Sequence, residues 1–361
     1  MLVTFALLGG LWLTAAPWWG AVPASSTSLA GPRDARAADS PAALLDLSDE
    51  ELATRIESDP ASLGSLSIGA PGRGRLFNPA SLPPSPNWEV APNADTWGTS
   101  ETLAALQVAV DTVHELFPDT PPVFIGDISG NLGGRLHRHE SHQSGRDVDL
   151  GYYYKPGLGS WATLGTAANL DLPRNWALVR ALLVRTDVEA ILLDIRVQRL
   201  LYQYALSISE DKDWLDHVFQ CARGTAHAII RHWPNHRTHY HVRFYNPVAQ
   251  ELGRRAHPYL VEAGLLPRPL YAVQVIVRAG QTLSSLAARY GTSVRAIMAA
   301  NGLTSAQLRV GRAYRIPVRS VAPPSEPLVV PRRLLPPQTP AALAAVSWPT
   351  EDSLYGASLE R

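Results

Sequence analysis

The pattern of apolar and polar positions divides the chain into segments of different character. "SETLAALQVAVDTVHELFP" carries apolar residues at helical spacing and stops before Pro118, which predicts an amphipathic helix. "PVFIGDIS" reads as a short strand, and "DVDLGYYY" alternates with period two, as a half-buried strand does. Two further amphipathic helices, "RNWALVRALLVRT" and "RVQRLLYQYALSI", flank the strand-like "EAILLDI". "THYHVRFY" closes the set as another strand. Helices and strands mix without a regular βαβ rhythm, so the expectation for residues 67–264 is an α+β domain rather than a doubly wound sheet.

The pattern changes on both sides of this domain. The first part of the chain is apolar from about Leu2 to Val22, has no charge before Arg33 and ends in the small residues of "VPASS". Residues 1–24 therefore read as a signal peptide cleaved near Ala24, or as a retained N-terminal membrane anchor, although Gly9, Gly10 and Pro17 weaken a spanning helix. Residues 25–66 are rich in Ala, Ser, Asp and Pro and read as a linker with one short helix in "SPAALLDLSDEELATRIES". Residues 272–318 form a second patterned unit, strand, helix, helix, strand. Leu283, Leu286, Ala287 and Tyr290 share one helical face, and Val294, Ile297 and Met298 share the next. The helices stop at Gly291 and Gly302. Residues 319–361 are proline-rich ("VAPPSEPLVVPRRLLPPQTP") and read as a disordered tail.

Composition narrows the chemistry. Lys+Arg and Asp+Glu both total 32 in 361 residues, so no basic excess points to nucleic acid. A single cysteine, Cys221, excludes an internal disulfide framework, a cysteine-rich zinc module and a lipidated N-terminal cysteine.

The candidate chemistry lies in two polar strings. In "HESHQSGRDVD", Asp147 and Asp149 share one face of the predicted strand, and His142 on the preceding loop can fold back toward them across Gly145. In "NHRTHYHVRFY", His239 and His241 project from the same strand face, roughly 6.5–7 Å apart at 3.3 Å per residue. That spacing suits a division of labour, one imidazole on a metal and the other on a water. Two histidines and a carboxylate leave the fourth position of a tetrahedral ion open, as in catalytic zinc sites. "HESH" is not the HExxH zinc helix, because its second histidine comes one residue too early. "SEDK" (209–212) matches SxxK, but no Lys-Thr-Gly accompanies it. "GNLGGR" lacks the Gly-Lys-Ser/Thr of a phosphate loop.

His142, Asp149 and the His239-Tyr240-His241 string resemble the HxxxxxxD and HxH motifs of the LAS metallopeptidases. Within that group "HESHQSGRDVD" and "HRTHYHVRF" are similar to the penicillin-insensitive murein endopeptidases, and the likeness extends through "WGTSETLAALQ", "RNWALVRALL", "LLDIRVQRLL" and "DKDWLDHVF". The resemblance implies an α+β LAS-type fold with a central antiparallel sheet. It implies Zn2+ held by His142, Asp149 and His241, with His239 as catalytic base. His139 and His236 fall on further family histidines that line the site, His139 counted among the metal residues and His236 among the catalytic ones. His236 would bind the developing oxyanion or orient His239, unless it is a surface histidine in a loop. Asp147 would steady a ligand imidazole or pair with a nearby arginine. Arg243 would bind a peptide carboxylate or form a structural ion pair.

"RAGQTLSSLAARYGTSVRAIMAANGL" and "LRVGRAYRIP" resemble a LysM domain, which implies binding to N-acetylglucosamine-containing glycan. Together the resemblances imply an exported zinc metalloendopeptidase of the periplasm or cell envelope that cuts peptide cross-links of peptidoglycan. The alternatives are a D-Ala-D-Ala-type carboxypeptidase on the same site, or a non-catalytic peptidoglycan-binding protein.

Overall fold

The computed structural model describes residues 41–136, 139–224, 227–267, 270–319 and 326–337. The expected signal or anchor at 1–24 lies outside them. Among the described residues no helix is long and apolar enough to cross a membrane.

The chain enters through a short 3-10 turn, Pro41–Asp46, and helix α1, Asp49–Ser58. Ser48 and Glu51 close a reciprocal capping box at its start, which satisfies two otherwise unpaired amides. Leu44, Leu52 and Ile56 are buried against Leu66, Ile68 and helix residues Leu252, Ala256 and Leu260. The segment read as a linker thus adds a packed face to the domain beyond its expected start at 67. Only tertiary contact reveals this, because ten residues of helix are marginal alone.

A hairpin of β1 (Leu66–Ala70) and β2 (Arg73–Phe77) follows, then the short strands β3 (Ala80–Ser81), β4 (Trp88–Val90) and β5 (Trp97–Gly98). Helix α2 (Ser100–Leu116) starts where Thr99 accepts from the Thr102 amide, and ends just before Pro118 as its pattern predicts. Strands β6 (Val123–Ile125) and β7 (Asp147–Gly151) precede α3 (Leu172–Arg185), β8 (Val188–Leu193) and α4 (Ile195–Ser207). Then come α5 (Lys212–Val218), α6 (Gln220–Arg223), β9 (Ile230–His232), β10 (His239–Phe244) and α7 (Pro247–Glu262).

Six strands make one sheet in the order β4-β6-β7-β10-β8-β9. Its centre, β6 through β8, is antiparallel, and each edge pair is parallel. The architecture is α+β, as expected. One face of the central strands (Val148, Leu150, Tyr240, Val242) is buried with Ile191 and Leu193 of β8 and with the apolar faces of α2 and α3. The strand predicted over 147–154 stops at Gly151. Beyond it the Tyr153 amide and carbonyl bond to the Asn175 side chain instead of a neighbouring strand.

The C-terminal unit is β11 (Leu270–Ile276), α8 (Leu283–Arg289), α9 (Val294–Asn301) and β12 (Ala313–Arg319), with β11 and β12 antiparallel. Thr282 and Ser293 cap the helices, and Gly302 ends α9 in the left-handed conformation. Leu283, Leu286, Ala287 and Ile297 form its core with Tyr314 and Ile316. Asn301 bridges α9 to β12 through both its amide groups, donating to Arg315 O and accepting from Arg315 N.

The tail departs from the expectation of disorder. Residues 326–334 meet the peptidase domain without regular secondary structure. The Leu328 amide donates to Glu251, Arg333 pairs with Asp187 at 3.0 Å, and Trp214 Nε1 donates to Leu334 O at 2.8 Å. Composition alone misses this segment because its partners are fixed groups on distant helices. Residues 320–325 and 338–361 lie outside the described residues.

Candidate functional site

The register of β7 against β10 builds the site. His241 stands opposite Asp149, Arg243 opposite Asp147 and His239 opposite Gly151. Directly opposed residues on one face of an antiparallel pair have side chains in contact range. The alternation that buries Val148, Leu150, Tyr240 and Val242 therefore places both aspartates, both histidines and Arg243 together on the other face.

His142 reaches this face from the loop before β7. That loop turns at Gly145 (φ +71°), where a side chain would meet Leu76 Cδ1 at 2.8 Å. The Gly145 carbonyl is tied to the start of α2 by the Thr99 amide and the Thr102 hydroxyl. His142 is fully buried. Its amide donates to Asp147 at 2.9 Å, and its Nδ1 lies 3.1 Å from the Ile128 carbonyl. A carbonyl only accepts, so Nδ1 carries the hydrogen and Nε2 turns a lone pair toward the site.

Three atoms converge there. His142 Nε2, Asp149 Oδ1 and His241 Nδ1 are separated by 3.2, 3.2 and 3.3 Å. Ligand atoms about 2.0–2.1 Å from one tetrahedral ion stand about this far apart. Among the described residues the buried Asp149 Oδ1 has no hydrogen-bond partner. A buried oxygen without a donor, facing two imidazole nitrogens, fits a cation.

The surrounding groups hold this arrangement. Asp147 lies 3.3 Å from His241 Nε2 and takes a two-pronged contact from Arg243, at 2.6 and 3.3 Å. Both alternatives foreseen for Asp147 are therefore present together. Arg243 is committed to that ion pair, so of its two foreseen roles the structural one is seen. Burial alone would raise both carboxyls, but the imidazoles, and Arg243 at Asp147, hold them well below the usual range. Burial alone would likewise lower His241, yet the two carboxylates push it up to about 9.

His139 sits at the edge. Its ring is 4.3 Å from that of His142, its Nδ1 is 3.9 Å from Asp149 Oδ2, and its Nε2 is 2.8 Å from Asp127. His139, His142 and Asp149 form a group that could hold a metal ion. The shorter, mutually equal separations belong to His142, Asp149 and His241, so His139 is the more peripheral member.

His239 Nε2 is 3.7 Å from Asp149 Oδ1, and its Nδ1 meets the Thr238 hydroxyl at 2.8 Å. Burial lowers its pKa to about 4, so the ring is neutral at neutral pH and can accept a proton. The His236 ring lies 4.9 Å from that of His239, tilted by 47°, with Nδ1 at 2.9 Å from the Pro234 carbonyl. Nδ1 must donate to that carbonyl, and burial lowers the pKa. Neutral His236 thus presents Nε2 as an acceptor, which favours orienting a donor over binding an oxyanion.

Two residues of the site, Asp127 and Trp161, lie outside the two polar strings. Asp127 closes the strand-like "PVFIGDIS" and binds both His139 and the Asp95 amide. Trp161 lies in the glycine-rich loop after β7, its ring 6.1 Å from that of His239. A carboxylate at a strand end and a lone tryptophan in a Gly/Pro-rich loop were the available signals.

Residues 67–264 match the penicillin-insensitive murein endopeptidase family. The chain belongs to this family. Residues 275–317 match the LysM domain. The penicillin-insensitive murein endopeptidase of Salmonella arizonae is 28% identical over 206 residues, covering 52% of this chain and 69% of that protein. Those of Salmonella paratyphi B and Salmonella newport are 31% identical over 140 residues, covering 35% of this chain and 46% of each relative. As a family member carrying a LysM domain, the chain has the parts of a peptidoglycan-cleaving hydrolase that acts outside the cytoplasm.

Proposed function

We propose that this protein is a zinc-dependent endopeptidase that hydrolyses peptide cross-links of peptidoglycan, with its LysM domain holding it on the glycan. One observation carries the reading. His142 Nε2, Asp149 Oδ1 and His241 Nδ1 share a focus 3.2–3.3 Å on a side, with His239 beside it. Two nitrogens and one oxygen suit zinc and leave a position for water or substrate.

A zinc ion bound there supplies Lewis-acid polarisation of the scissile carbonyl and activates water at neutral pH. His239, kept neutral by burial, takes the proton at Nε2 and returns it to the leaving amine. Thr238 fixes the His239 ring by its hydroxyl at 2.8 Å. Ile128 O holds His142 through Nδ1, so that ring presents its Nε2 lone pair, while His241, with Asp147 at 3.3 Å from its Nε2, would give up its Nδ1 proton to a bound cation. His236 packs on His239 and His241 and limits their rotation.

Residues 1–24 supply export, as a cleaved signal or an anchor, to the periplasm or cell envelope. The LysM domain raises the local concentration of cross-links even at weak glycan affinity.

The test is digestion of purified cross-linked muropeptide dimers with and without chelator, read by mass spectrometry. Monomers should appear only with metal. His239→Ala should keep the metal and lose about 10²–10⁴-fold in rate, the usual worth of a positioned base. Cleavage of pentapeptide monomers but not dimers would instead identify a carboxypeptidase. Binding without any cleavage would identify a wall-adhering protein.

A further inference from the structure

The loop between β7 and α3 holds Trp161 partly buried beside His239. Its indole faces the His239 ring at 6.1 Å and 35°, and the Phe124 ring at 6.3 Å. Under it lies Gly126, where a Cβ would come within 2.5 Å of Trp161 Cη2 and 3.1 Å of Asp149 Cβ. The backbone beside the Asp149 ligand is thus cut back to admit the indole. An aromatic residue seated there only to fill space would be fully buried, and Trp161 stays partly exposed.

The loop is braced to hold it. Tyr154 donates to the Thr163 carbonyl at 2.5 Å, and the Ser160 amide donates to Thr163 Oγ1 at 3.0 Å. Gly165 and Arg237 exchange two hydrogen bonds, at 2.8 and 3.2 Å, joining this loop to the one that carries His236. Ala162, next to Trp161, has φ +65°, a conformation that a residue with a Cβ adopts at a cost when surrounding structure imposes it. Leu158 and Leu164 of the same loop are exposed.

We propose that Trp161 is a substrate-positioning residue whose exposed indole edge receives the aliphatic part of the peptide stem and sets the scissile bond against His239. This rests on the endopeptidase reading, and it adds a contact on the substrate's peptide, separate from the glycan contact of the LysM domain. An apolar wall at this place also sheds water from the histidine side of the cleft.

The experiment uses the full chain and a glycan-free cross-linked peptide dimer, so that the LysM domain contributes nothing. Trp161→Ala should raise KM about tenfold, as loss of an aromatic contact and its buried area does, with kcat held within about threefold. Trp161→Phe should recover most of that loss. Thermal melting of each variant shows whether the fold persists. An unchanged KM in Trp161→Ala, or a fall in kcat alone, would overturn the assignment. Direct calorimetric binding of the same dimer separates the two readings. If the wild-type chain binds but never cuts, and Trp161→Ala binds about tenfold less tightly, the positioning role stands and the endopeptidase reading falls. If the wild-type chain does not bind the dimer, the positioning role falls with it.

Discussion

Asp147 shows how much one side chain can hold in a buried polar face. Its carboxylate meets the His142 amide, His241 Nε2 and the Arg243 guanidinium, and it is 1% exposed. Asp147→Asn keeps the shape and removes the charge, so His241 loses the partner that directs its Nδ1 to Asp149. Metal affinity should fall about 10–100-fold, read by competition with a chromogenic chelator. The same change leaves Arg243 buried beside a neutral group, and the melting temperature should drop as well. Asp127 plays the corresponding part for His139 from 2.8 Å. These supporting carboxylates are harder to see in sequence than the ligands, because an aspartate near a motif has several equivalent uses until its neighbours are known.

At the scale of elements, β10 carries the site because its alternation separates core from chemistry. Tyr240, Val242 and Phe244 enter the core, and His239, His241 and Arg243 face the opposite way. A one-residue slip would invert every one of them, so core and site specify the register together. Helix α4 shows how a helix start is secured. Asp194 accepts from the Arg196 amide and side chain, and those hydrogen bonds hold its carboxyl down at about 2. Asp194→Ala should cost about 1 kcal/mol by chemical denaturation, as loss of an N-cap does. A carboxyl with a depressed native pKa stabilises above its unfolded value of 3.8 and loses that contribution as pH falls toward about 2. The wild-type and Asp194→Ala stabilities should therefore converge over that window. The stretch 326–334 adds hydrogen bonds from Leu328 and to Leu334, and the Arg333–Asp187 pair. Ending the chain after residue 325 should lower stability by about 1–2 kcal/mol, since the ion pair is half-exposed and each net hydrogen bond is worth about 1 kcal/mol.

For the whole molecule, the glycan-binding and peptide-cutting parts should separate in their effects. Deleting residues 272–318 should weaken retention on insoluble peptidoglycan in a sedimentation assay, while KM for a glycan-free peptide dimer stays unchanged. A rise in that KM would show that the LysM domain serves the cleft itself. The sequence by itself determined the parts whose signals are local: the period of α2, α3 and α4, the alternation through Val148–Leu150 and Tyr240–Val242, the helices of the LysM unit with their glycine stops, and the two polar strings that contain His142, Asp149, His239 and His241. Periodicity and turn chemistry act within a few residues, so they are written where they act. Tertiary structure decided what depends on long-range register. It placed His241 opposite Asp149, gave Arg243 to Asp147, set Trp161 on Gly126, and drew the helix at 49–58 and the stretch at 326–334 onto the domain. Each of these joins groups far apart in the chain, and a contact that costs loop closure and repays it through burial leaves no period behind for the sequence to display.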